Sequence, residues 1–139
     1  MIANILLAAD LKTGKFTSPH LVKYNERLVI NGQDIDDYSF AVLITIVKKA
    51  ADSVVAKGIC EQPTQFEVLT AAAFMYFALE NVDYAVIEVG MGGLWDSTNV
   101  IIPVVSVITN VSLDHTDRCG ATVERIAMQK AGIIRKMFR

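Results

Sequence analysis

The sequence predicts an α/β domain, a mainly parallel β-sheet flanked by helices, and three observations predict it. Residues 84–89 and 104–109 are apolar, β-branched runs without alternation, the pattern of strands buried on both faces. Stretches with apolar residues at helical spacing precede the first run and follow the second. Glycine-rich or polar loops come directly after each run, where open α/β sheets carry their ligand sites. With 139 residues, 53% of them hydrophobic and 20% charged, the chain has room for one real core and is too apolar for disorder.

In order along the chain, residues 1–9 read as a helix, with Gly14 ending that unit. Lys15-Phe16-Thr17 is a short strand halted by Ser18-Pro19-His20. Residues 21–30 alternate in part through Val22, Tyr24, Leu28 and Ile30, and stop at the turn signal Asn31-Gly32. Asp34 or Asp36 caps a long helix through Lys57, whose buried face is Phe40, Leu43, Ile44, Val47 and Ala51; Gly58 closes it. A second helix runs from about residue 66 to 80 after Pro63-Thr64, and Ala71-Ala72-Ala73 lets it approach a sheet closely. The strand at 84–89 is followed by Gly90-Met91-Gly92-Gly93, and Pro103 precedes the strand at 104–109. Residues 110–120 read as loop, and Thr122 caps a last helix with Glu124 in its first turn.

A formal net charge of -2 excludes broad nucleic-acid binding by electrostatics. Cys60 and Cys119 have no CxxC or histidine at ligand spacing, so they read as reduced thiols of a cytoplasmic protein. The opening apolar run has no basic start and stops at Asp10, which argues against a signal peptide. No apolar stretch reaches the ~20 residues a membrane span needs. The chain begins inside a helix and ends just after another, which suggests a domain cut at both ends.

Three candidate sites lie at strand ends: Thr17-Ser18-Pro19-His20, Glu88 with the glycines after it, and Leu113-Asp114-His115. A carboxylate in an apolar strand is costly to bury without a cation or hydrogen-bond partner. Taken singly, each has a plainer reading: a solvated strand-end glutamate, a turn serine before proline, a loop histidine bonded to its own backbone. Oxygen ligands from Ser18 and Glu88 suit Mg²⁺, which keeps several waters; His115 is a less typical partner. Thr13-Gly14-Lys15-Phe16-Thr17 mimics the end of a phosphate loop. It lacks the glycine five places earlier, where Ala9 stands, and the hydroxyl residue after Lys15, where Phe16 stands.

Five blocks in order resemble the folylpolyglutamate and dihydrofolate synthases, within the Mur ligase superfamily. They are Thr17-Ser18-Pro19-His20-Leu21 with Tyr24-Asn25-Glu26-Arg27; Phe66-Glu67-x-Leu69-Thr70-Ala71-Ala72; Glu88-Val89-Gly90-Met91-Gly92-Gly93-x-x-Asp96-x-Thr98-Asn99; Leu113-Asp114-His115-Thr116; and Lys130-Ala131-Gly132-Ile133-Ile134. The resemblance implies that residues 1–139 are an incomplete central ATPase domain, a partial P-loop-type sheet, without its phosphate loop or the carboxy-terminal domain. It implies an ATP-dependent ligase. ATP phosphorylates a carboxylate of dihydropteroate or folate, and the amine of L-glutamate displaces phosphate to form an amide. By motif, Ser18 and Glu88 match ligands of one Mg²⁺ and His115 a ligand of a second. Lys130 matches the lysine that the family carbamylates. Thr64, Gln65, Phe66 and Glu67, with Trp95, Asp96 and Ser97, match segments that contact the pterin. The implied protein is a cytoplasmic monomer when full length, acting on small molecules, with neither nucleic acid nor membrane as partner.

The family usually shows arginine where Leu94 stands and leucine where Trp95 stands, so a fixed cation is lost beside the acidic groups. Arg118-Cys119 replaces a pair that is more often apolar. The chain alone is expected to ligate nothing. Two other readings stay open: another Mur-type amino-acid ligase, and a non-catalytic relic that binds a pterin or associates through a sheet edge.

Overall fold

Helix α1 (Ile2–Ala8) leads into β1 (Thr13–Phe16), the strand around which the first unit of the chain is built. The computed structural model describes residues 1–135 and divides the chain into two units, Met1–Glu88 and Val89–Arg139.

In the first unit a 3₁₀ turn (Tyr24–Arg27) precedes β2 (Leu28–Ile30) and β3 (Gln33–Asp34). Asn31 and Gly32 join them, with φ of 50° and 79°. Two consecutive positive φ values make the primed turn that matches strand twist, and Asn-Gly is the pair that adopts it most readily. Helix α2 (Asp37–Ala56) starts at Asp36, whose carboxylate accepts from the Ser39 amide at 2.9 Å; of the two candidate caps this is the one used. Helix α3 (Gln65–Leu79) follows, and β4 (Tyr84–Ile87) ends the unit.

The sheet order is β3-β2-β1-β4, with β1 parallel to β4 and antiparallel to β2. The α/β class is borne out, as a mixed sheet of four strands flanked by helices. Only the β1–β4 pairing is parallel among the described residues. Connection length explains this. The β2–β3 link is a tight turn and the β1–β2 link carries only the 3₁₀ turn, so both reverse direction, whereas α2 and α3 supply the long crossover that a parallel pair requires.

Period-two alternation splits β1 between two layers. Gly14 and Phe16 face α3, and Thr13 and Lys15 face α1, where with Val29 they line a small cavity against Ala3, Asn4 and Leu7. Gly14 does not end the first unit, as its sequence context suggests, but lies inside the strand. A Cβ there would come within 2.7 Å of the Phe77 ring, so α3 can reach the sheet only over a glycine. Lys15 in mid-strand confirms the phosphate-loop likeness as a decoy. The core is Phe16, Leu28, Ile35, Leu43, Leu69, Ala72, Ala73 and Phe77, with Phe40, Ile44 and Val47 half-buried against it. The expected face of α2 is therefore the one used, and in α3 Ala72 and Ala73 pack closely while Ala71 is exposed.

Other strand expectations are corrected. Of residues 21–30 only the last three are strand, because Tyr24–Arg27 winds into a turn held by side-chain bonds. The run at 84–89 is not buried on both faces: Tyr84 and Ala85 are exposed, as is Glu88, and β4 is an edge of the four-stranded sheet.

In the second unit, residues 104–109 form no strand. Val104 and Val105 are about three-quarters exposed, because no ladder partner exists for them among the described residues. Within the polar stretch expected to be loop lies a short helix, α4 (Thr116–Cys119). Helix α5 (Val123–Ala131) is capped as expected by Thr122, whose hydroxyl accepts from the Arg125 amide. Ile126 is the buried residue of α5 and Cys119 that of α4. No described helix is long and apolar enough to cross a membrane.

Candidate functional site

In the first unit, parallel pairing sets Phe16 beside Ile87, so the residues after β1 and β4 emerge side by side. The Glu88 amide donates to the Phe16 carbonyl at 2.9 Å, and the Ser18 amide donates to Glu88 Oε2 at 2.7 Å. Two expected site residues, 70 positions apart, are thus brought together, and one carboxylate oxygen of Glu88 is fixed by backbone. Glu88 is exposed and Ser18 half-buried, so a carboxylate at this point incurs little desolvation cost. Among the described residues no three His, Cys, Asp or Glu side chains cluster to hold a metal. A serine hydroxyl and one carboxylate fit a hard, water-retaining cation such as Mg²⁺ and no softer metal.

The segment Thr64-Gln65-Phe66-Glu67 sits at the amino end of α3. Thr64 and Glu67 form a reciprocal capping box. The Thr64 amide and hydroxyl donate to Glu67 Oε2 at 2.6 and 2.8 Å, and the Glu67 amide donates back to Thr64 Oγ1 at 3.3 Å. Such a cap is worth about 1 kcal/mol, which gives both residues a structural task apart from any ligand. Gln65 is exposed and donates from Nε2 to the Tyr24 hydroxyl at 2.6 Å. Phe66 is half-buried, 5.8 Å from the Phe16 ring.

Sequence reasoning quoted Tyr24-Asn25-Glu26-Arg27 only as a block; the structure gives each residue a task. Glu26 accepts from the amides of Leu21, Val22 and Lys23, each at 2.8 Å. The amides of Leu21, Lys23 and Val22 hold its carboxyl below the ordinary carboxylate value. Arg27 Nε donates to His20 Nδ1 at 2.9 Å, which leaves the imidazole proton on Nε2. The detectable signal was the glutamate three places after Lys23, the spacing of a capping box.

In the second unit the glycine loop leans on the end of α5. A Cβ on Gly93 would lie 2.7 Å from the Gln129 carbonyl oxygen, and one on Gly132 would lie 2.5 Å from Leu94 Cα. The Leu94 amide donates to Gln129 O at 2.9 Å. Asn99, buried, donates from Nδ2 to the carbonyls of Leu94 and Gly132 at 3.0 and 3.1 Å. Asn99 was quoted in the sequence motif without a role; here it ties loop to helix. Lys130 lies in the last turn of α5, half-buried, where the helix dipole favours a cation.

Asp96 has its carboxylate engaged within the loop: Oδ2 accepts from the Met91 amide, and Oδ1 accepts from the Thr98 amide and hydroxyl. Its geometry is that of a loop-building residue. Trp95 is 83% exposed, an aromatic face held out to solvent. Ser97 is half-buried in the same loop. His115 is exposed with φ 47° and ψ 43°, a left-handed conformation that costs a residue with a Cβ about 1–2 kcal/mol. Its amide donates to Asp114 Oδ1 at 2.8 Å, and Asp114 Oδ2 lies 3.7 Å from its Nε2.

Residues 34–138 match the family model of the Mur ligase middle domain. The chain is 44% identical over 135 residues to the folylpolyglutamate synthase of Lacticaseibacillus casei, which covers 97% of this chain and 32% of that protein. It is 41% identical over 136 residues to the dihydrofolate synthase/folylpolyglutamate synthase of Bacillus subtilis, covering 97% and 31%. The structure of E. coli FolC in complex with DHPP and ADP superposes with a TM-score of 0.88 at 35% identity, over 98% of this chain and 31% of that one. The chain therefore spans about a third of the length of these relatives. A family match over three-quarters of its residues, supported by the same α/β arrangement in a solved structure, makes this chain a member of the Mur ligase middle-domain family.

Proposed function

We propose that residues 1–139 are part of the central domain of an ATP-dependent ligase that joins L-glutamate to dihydropteroate or folate through an acyl phosphate. The names of the relatives support the reaction, and DHPP and ADP in the E. coli complex support the substrate class. The observation that carries the reading is the bond between Ser18 and Glu88, which joins two motif segments at the strand ends where such sheets take their ligands.

In this reading Ser18 and Glu88 hold one Mg²⁺ and His115 belongs to the site of a second. Bound Mg²⁺ supplies charge compensation for the transferring phosphate. The Ser18 amide orients the Glu88 carboxylate by one oxygen and leaves the other for the cation. Lys130, once carbamylated, presents a carboxylate-like group from the end of α5. Gln65 and Phe66, with Thr64 and Glu67 shaping the helix end, face the pterin, and the exposed Trp95 ring suits a flat heterocycle. Asp96 and Ser97 complete that loop. The full-length protein of this reading acts on small molecules as a cytoplasmic monomer.

The test is a chimera in which this chain replaces the corresponding third of the L. casei enzyme. It is expected to add labelled glutamate to dihydropteroate or a reduced folate in the presence of ATP and Mg²⁺. A chimera that folds and binds ATP but ligates neither substrate overturns the reading.

A further inference from the structure

The 3₁₀ turn sends polar contacts from four consecutive residues to four different segments of the first unit. Tyr24 accepts from Gln65 at the start of α3, and Asn25, buried, donates to the Ile35 carbonyl and to Asp37 Oδ1 at 2.8 and 2.9 Å. Glu26 gathers the amides of residues 21–23, and Arg27 holds His20 by its side chain and the Thr17 amide by its carbonyl. The Tyr24 ring also packs on the His20 imidazole, centroids 4.3 Å apart, with the Arg27 guanidinium 5.4 Å above it.

Stability alone does not account for this pattern. Gln65 and Tyr24 are both exposed, and a hydrogen bond between exposed side chains adds about 0–1 kcal/mol against a similar loss of rotamer freedom. Three charge-assisted bonds on Glu26 hold a surface loop that buries no apolar core residue. What these contacts do supply is fixed geometry, on a turn that Asn25 anchors to the buried Ile35 segment.

We infer that this turn is a shared positioning element: Tyr24 aims Gln65 at the pterin, and Glu26 with Arg27 sets the loop that presents Ser18 to the metal. The inference rests on the ligase reading and adds residues that touch neither reactant.

Its test is a double dissociation in the chimera described above, using dihydropteroate and Mn²⁺, the latter a paramagnetic stand-in for Mg²⁺. Tyr24→Phe keeps the ring and loses the hydroxyl. It is expected to weaken dihydropteroate binding about twofold to fivefold and leave Mn²⁺ binding unchanged. Glu26→Gln, which faces one amide with a second donor, is expected to weaken Mn²⁺ binding about tenfold and leave dihydropteroate binding unchanged, with Glu26→Asp restoring part of it. Variants that bind both ligands like the parent, or lose both together with a lowered melting temperature, overturn the inference and leave the ligase reading standing. A parent chimera that binds neither ligand overturns both.

Discussion

The Ser18 amide and Glu88 Oε2 lie 2.7 Å apart, so the turn after β1 and the residue after β4 share one hydrogen bond. Glu88→Gln keeps an oxygen for that amide and removes the charge. Folding should be unaffected, while Mg²⁺ affinity falls about 100-fold or more, measured by titration with Mn²⁺ as probe. Equal affinities in parent and variant would remove Glu88 from the metal set.

Gly93 and Gly132 should tolerate no side chain. Either alanine variant puts a methyl group against backbone, 2.7 Å from Gln129 O or 2.5 Å from Leu94 Cα. Each should destabilise the fold by about 1–3 kcal/mol, as overpacked sites do, and chemical denaturation would read it. A neutral Gly132→Ala would mean that the loop and α5 separate freely.

His115 should behave in the opposite way. His115→Gly relieves the left-handed strain and loses some chain entropy, so stability should change by less than about 1 kcal/mol. Ligation by the chimera should nevertheless be lost. Full activity in the glycine variant would return His115 to the status of a loop residue.

Acid should act on the loop after Ser18 through Glu26. Its folded carboxyl titrates below the ordinary 4.5, held down by the amides of Leu21, Lys23 and Val22. A depressed folded value means a stabilisation that is complete above 4.5 and disappears as pH falls through the lowered value. The stability gap between the parent and Glu26→Gln should therefore be largest near neutrality and close in acid. Asp36, held down by Ser39, will keep some acid sensitivity in the variant. A gap independent of pH would exclude Glu26 as its source.

Much of this was legible because it is local. Asp36 and Thr64 cap their helices by the residue types and spacings that capping needs, and Asn31-Gly32 makes the turn its chemistry favours. The face of α2 followed from periodicity. What failed depended on partners that sequence does not display. Residues 104–109 have the composition of a buried strand, but strand formation needs a neighbour's ladder. Gly14 reads as a breaker until Phe77, 63 positions away, is seen to require the space. Candidate site residues were legible only as motif blocks. The bonds that give Tyr24 and Asn99 their tasks run to groups chosen by the fold.

The Asn99 amide has two hydrogens and gives one to each of two carbonyls, Leu94 on the glycine loop and Gly132 just past Lys130. The loop and the helix terminus are consequently tied through one side chain. If the ligase reading holds, a bulkier heterocycle pressing on Trp95 would also disturb Lys130, and an ångström of misplacement at a reacting group can cost about 100-fold in rate. Selectivity for the shape of the ring would then be felt as a penalty on turnover, exerted through an amide that meets neither.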